Sequence, residues 1–75
     1  MKFRIKYLPQ VGYFGQVKRG FFEWNTIGKH INGYGLYSQN NIDYPLHTEH
    51  EARALCKLYE QWAVISENTA TFIDC

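Results

Sequence analysis

The stretch TEHEARALCKLYEQWAVI, residues 48–65, decides the architecture. Within it Ala52, Leu55, Cys56, Tyr59, Trp62 and Ala63 recur at the i, i+3, i+4, i+7 spacing of one helical face. His50, Arg53, Lys57, Glu60 and Gln61 take the opposite side. Thr48 is a good N-cap, and Glu51 three residues later completes a capping box. Glu49 and Glu51 also suit the positive end of a helix dipole. The spacing predicts a helix over about 49–65, stopping near Ser66-Glu67-Asn68.

Upstream the hydrophobic period changes from 3.6 to 2. In KFRIKYL (2–8), Phe3, Ile5 and Tyr7 fall on one side and Lys2, Arg4 and Lys6 on the other, the pattern of a half-buried strand. Pro9-Gln10 breaks it. VGYFGQVK (11–18) reads as a second strand with Val11, Tyr13 and Val17 on one face, softened by Gly12 and Gly15. After a tight turn at Arg19-Gly20, FFEWNTIG (21–28) reads as a third, with Phe22, Trp24 and Thr26 alternating against Phe21, Glu23 and Ile27. GYGLYS (33–38) is a short fourth strand or an ordered loop, and Tyr44 must be extended because Pro45 follows it. The tail TATFIDC (69–75) is β-prone and suits a last strand. The expected fold is α+β and two-layered: an antiparallel meander of three to five strands, with one amphipathic helix packed on one face.

Length agrees. Seventy-five residues, 45% of them hydrophobic, make one domain over 1–75. So short a chain buries only about 60% of its unfolded surface. Its thirteen aromatic residues answer that need for bulk. Two Cys residues are too few for a disulfide scaffold, so a reduced cytosolic setting is expected. MKFRIKYLPQ has no apolar core of a signal peptide, and no run is long enough for a membrane span.

The formal net charge of +1 hides a polarity. Residues 1–30 carry six basic side chains against one acid, a net of +5. Residues 31–75 carry two against six, a net of −4. Such asymmetry marks either a partner surface or two solvated faces of opposite sign.

Catalytic chemistry finds little to stand on. His47, Glu49, His50 and Glu51 have the donor types of a zinc site, but no Cys pair or second His pair completes the set, and a polar helix start accounts for them. Cys56 and His50 lie six residues apart on the helix, about 120° out of face. Gly33-Tyr34-Gly35 lacks the lysine and following helix of a phosphate loop. No enzyme activity, metal or cofactor is expected. The binding chemistry is richer. Tyr34, Tyr37 and Tyr44, in the segment 33–46, and Arg4, Lys18 and Arg19, on the basic side, are the residue types that anchor protein–protein contacts. That segment is either a lid on the core or a binding loop. Alternatively, Lys2, Arg4, Lys6, Phe14 and Lys18 form a cationic sheet face with a ring for base stacking, the chemistry of a nucleic-acid platform. An exposed edge strand would also permit a homodimer.

The order of these motifs carries a resemblance. Strands with Gln16-Val17-Lys18, the pair Phe21-Phe22 and Trp24-x-x-Ile27-Gly28 come first. Gly33-Tyr34-Gly35-Leu36-Tyr37, Tyr44-Pro45-Leu46 and a Thr48-capped helix with Cys56, Tyr59 and Trp62 follow. Over residues 2–62 the chain resembles small accessory proteins encoded by tailed bacteriophages. The resemblance implies a setting, the cytoplasm of the bacterial host. It also implies a role, binding and inhibiting a host enzyme or defence complex by blocking a functional surface. It transfers no catalytic residue.

Overall fold

A computed structural model describes residues 1–20 and 23–68. Four strands, β1 (Lys2–Leu8), β2 (Gly12–Lys18), β3 (Trp24–His30) and β4 (Gly33–Ser38), precede one helix, α1 (Glu49–Asn68). They form a single antiparallel sheet in the order β1-β2-β3-β4, and α1 lies on one face of it. The fold is the expected α+β meander. GYGLYS is a strand, and the helix ends at Asn68, within the expected stop at Ser66-Glu67-Asn68. The expected start of β3 at Phe21-Phe22 and the proposed last strand at 69–75 lie outside the described residues.

Local chemistry explains the elements. The β1–β2 connection closes with Val11 N–H donating to Leu8 C=O at 3.1 Å. Pro9 takes the first central position and Gln10 adopts φ +68° at the second, the pattern of a type II turn. Val11 therefore belongs to the turn and not to the strand, and it is exposed. At the helix start the Glu51 N–H donates to Thr48 Oγ1 at 3.1 Å, so the cap forms as the sequence predicts.

The core lies between α1 and the middle of the sheet. Val17 and Ile27 meet Leu55, Cys56, Tyr59 and Ala63, with Phe3, Ile5, Tyr34 and Leu46 around them. Tyr7 shares their face but lies beyond the helix start, and it stacks on Tyr13 at 4.7 Å with half its surface in solvent. Trp62 stays half-exposed against Tyr34 and Tyr59.

Gly15 sets how closely the helix approaches. A Cβ there would stand 3.0 Å from Cys56 Sγ and 3.2 Å from the Ala52 carbonyl oxygen. Because the second contact is helix backbone, it cannot turn away as a side chain would. Gly15→Ala is expected to lower unfolding free energy by about 1–3 kcal/mol through overpacking. A denaturant midpoint equal to that of the parent chain would refute this account of the layer spacing.

Beyond Gln16, β2 and β3 diverge: their pairing covers only Gln16–Lys18 against Trp24–Thr26. Leu46 enters the gap and exchanges two backbone hydrogen bonds with Tyr13, of 2.9 and 2.8 Å. The chain thereby passes from the sheet face opposite the helix to the helix itself. Gly12 lets it through. It holds φ +143°, and a Cβ would fall 2.7 Å from the Leu46 carbonyl oxygen.

Candidate functional site

Strand alternation sends Lys2, Arg4 and Lys6 of β1, and Phe14, Gln16 and Lys18 of β2, to the face opposite the helix. Trp24 and Thr26 of β3 and Tyr37 of β4 join them by register. The rows across the sheet are Lys2–Lys18–Trp24 and Arg4–Gln16–Thr26–Tyr37.

The second row is a connected polar line. Arg4 Nε donates to Gln16 Oε1 at 2.7 Å, and Gln16 Nε2 donates to Thr26 Oγ1 at 3.1 Å. Gln16 Nε2 also donates to the Gln39 carbonyl at 2.9 Å, and Lys6 Nζ donates to the same oxygen at 3.1 Å. Gln16 and Thr26 have no exposed surface, and no buried side-chain N or O among the described residues lacks a partner. A buried, fully satisfied network of this kind holds its members in one arrangement.

Residues 39–46 lie over this face. A turn bonds Asn41 N–H to Ser38 C=O, and Asn41 Oδ1 accepts from the Asp43 N–H at 2.8 Å. Tyr44 then stacks on Tyr37 at 4.8 Å, both rings over Gly28, and the Tyr44 hydroxyl donates to that of Tyr37 at 3.2 Å. His30 Nε2 pairs with the Tyr37 hydroxyl. The segment is a lid on the outer face of the sheet. Phe14 belongs to the buried surface beneath it and is 1% exposed. Its ring therefore has no face to offer a base, contrary to the expectation from alternation.

The six expected anchors do not form one patch. Tyr34 and Tyr37 are strand residues of opposite parity. Tyr34 faces the helix, edge-on to Tyr59 and Trp62, while Tyr37 pairs with Tyr44 outside. Arg19 turns toward the helix side, where its guanidinium donates to the Tyr59 hydroxyl at 3.4 Å. Arg4 and Lys18 remain together on the outer face. Trp24, assigned no role from sequence, completes that group: the Arg4 guanidinium sits 4.3 Å above its ring. The missed signal was parity, since Trp24 lies opposite Lys18 once the register is known.

The result is a basic face with an aromatic floor. Among the described residues, none of Lys2, Arg4, Lys6 and Lys18 is paired with a carboxylate. Glu49 pairs with Arg53 at 3.2 Å on the helix instead. Four of the six basic residues of the first thirty thus share one sheet face. Among the described residues no three His, Cys, Asp or Glu side chains converge as a metal site would need. No described helix is long and apolar enough to cross a membrane.

Two groups have shifted proton affinities. The hydrogen bond with Tyr44, then burial and the nearby Tyr44 charge, raise the Tyr37 phenol above its usual 10.0. Burial raises the Cys56 thiol above 9.0, with a backbone hydrogen bond to Gln16 and Arg53 opposing. Cys56 is thereby a protonated core residue and a poor nucleophile. In both cases the unfolded chain loses its proton first. The stabilisation is complete below the unfolded pKa and fades as pH climbs toward the folded one. Denaturant midpoints should therefore fall as pH climbs through the ordinary thiol range and then the ordinary phenol range, about 8.5 and about 10. Tyr37→Phe should fall less steeply above pH 10. Equal slopes for the two proteins would discount Tyr37.

Comparison with protein-family models finds no match, and comparisons with curated proteins and with solved structures find none either.

Proposed function

We propose that this chain is a non-enzymatic accessory protein of the tailed-phage type. It acts in the host bacterial cytoplasm by binding a host protein and covering a functional surface of it. The observation that carries this reading is the outer sheet face. Lys2, Arg4 and Lys18 stand around Trp24 without carboxylate partners, and the Gln16 network holds Arg4 over the ring. Clustered cations, one of them already fixed beside an aromatic floor, favour an acidic protein surface, because Arg4 has little side-chain freedom left to lose on binding. Tyr37 and Tyr44 extend the face toward its other end.

The alternative is nucleic-acid binding through Lys2, Arg4, Lys6, Phe14 and Lys18. Two observations weigh against it. Phe14 is buried, and Arg4 already covers one side of Trp24. Stacking on open rings, which supplies much of single-strand affinity, has no platform among these residues.

The test is capture from bacterial lysate by the full-length chain, with and without nuclease, followed by titration of the purified captured protein. Lys2→Glu combined with Lys18→Glu should weaken the complex at least about tenfold, while leaving the melting temperature near that of the parent. Capture that disappears with nuclease, together with a steep salt dependence on naked RNA or DNA, would transfer the face to nucleic acid.

A further inference from the structure

The geometry points to the free edge of β1 as the place where a partner adds an extended strand, one alternating acidic and apolar residues. This rests on the reading of the basic face as a protein-binding surface and specifies how the partner is held.

β1 is hydrogen-bonded to β2 on one side and has no strand on the other among the described residues. An unpaired edge presents a row of N–H and C=O groups that another chain can satisfy. Beside this edge lies a groove of about 830 Å³, with Phe3 and Ile5 of β1 on one wall and His50, Arg53, Ala54 and Lys57 of α1 on the other. The groove exists because α1 is seated over Gly15, Val17 and Ile27 in the middle of the sheet. Phe3 and Ile5 are consequently left half-covered. An added strand would send every second side chain into that groove, against Phe3, Ile5 and the aliphatic stems of Arg53 and Lys57. Its intervening side chains would stand on the outer face beside Lys2, Arg4 and Lys6. Apolar residues suit the first set and carboxylates the second.

The charges also argue against a second copy as the occupant. Residues directly opposite in an antiparallel pair share a face. Two β1 strands paired about Ile5 would set Arg4 against Lys6 twice, and opposed like charges disfavour a pair. The other edge strand among the described residues, β4, lacks an equivalent: it contains Gly33 and Gly35, which weaken strand pairing.

The test uses the full-length protein and a synthetic peptide of alternating glutamate and valine with blocked ends. Backbone amide shifts report where it binds, and a titration reports how tightly. The expected result is shifts confined to residues 2–8 and the facing side of α1. Affinity should fall about tenfold or more when alternate peptide amides are N-methylated, when lysine replaces glutamate, or in Lys2→Glu protein. An N-methylated peptide that binds equally well overturns strand addition, and so do shifts elsewhere on the molecule. So does slow amide exchange at the β1 edge before peptide is added, since the chain would then already cover that edge. None of these outcomes touches the basic-face reading, which falls if the lysate partner is indifferent to the Lys2 and Lys18 reversals or if capture disappears with nuclease.

Discussion

Replacing Tyr59 by alanine is expected to remove about 3–5 kcal/mol of stability, the range for large aromatic truncations in a core. A domain of this size holds about 4–11 kcal/mol in all. The loss takes a large share of that margin, and is read as a fall in melting temperature of roughly 12–40 °C. Tyr59 is 1% exposed and lies at the middle of α1, where the helix meets the sheet. Its ring contacts Phe3 of β1, Tyr34 of β4 and Trp62 one turn on, at 6.5, 6.0 and 5.9 Å between centroids. No neighbour can fill the space that it leaves, since each is fixed to a different element. Tyr59→Phe keeps the ring and loses only the hydroxyl that accepts from Arg19 at 3.4 Å, a long bond, so it should cost less than about 1 kcal/mol. Similar losses for the two variants would mean that the hydroxyl, and not the packing, holds this junction.

Gln16→Leu should cost about 2–3 kcal/mol, although leucine has nearly the same size and sits on a strand. Gln16 is the hub through which Arg4, Thr26 and the Gln39 carbonyl are joined. Leucine leaves the fully buried Thr26 hydroxyl without its donor and releases Arg4 from its seat beside Trp24. For a domain this small the loss corresponds to a fall in melting temperature of about 10–20 °C. The double variant Gln16→Leu with Thr26→Val removes both ends of the buried bond and should recover part of the loss, because an unmade polar pair is cheaper than a half-made one. If the double variant is instead the sum of the two singles, the network has no cooperative role. Partner binding should weaken in Gln16→Leu even in the folded fraction, since Arg4 would then lose its fixed direction.

The elements themselves were legible in the sequence. Alternation in residues 2–8 placed Phe3 and Ile5 against Lys2, Arg4 and Lys6, and the spacing of Ala52, Leu55, Cys56 and Tyr59 placed the helix face. Both readings succeed because one side of each element meets the core and the other meets water, so burial is written as a period. Val11 broke the pattern because a turn with positive φ at Gln10 took it out of the strand.

What alternation does not encode is a second covering of the sheet. Phe14 and Gln16 have the parity of solvent-facing residues, yet both are buried on the face that Gln39 and Tyr44 cross. The segment 39–46 reaches that face because β2 and β3 part beyond Gln16 and admit Leu46 between them. Such a gap depends on backbone pairing between residues distant in the chain, which no local period records. The tertiary structure likewise set Tyr34 on one face and Tyr37 on the other, and joined Trp24 to Arg4 and Lys18. By itself the sequence determined an α+β domain with a basic sheet and an acidic helix. Only the packing decided which cations share a surface with an aromatic ring and how far α1 leaves Phe3 and Ile5 of β1 uncovered. Those outcomes follow from register and from where Gly15 lets the helix settle.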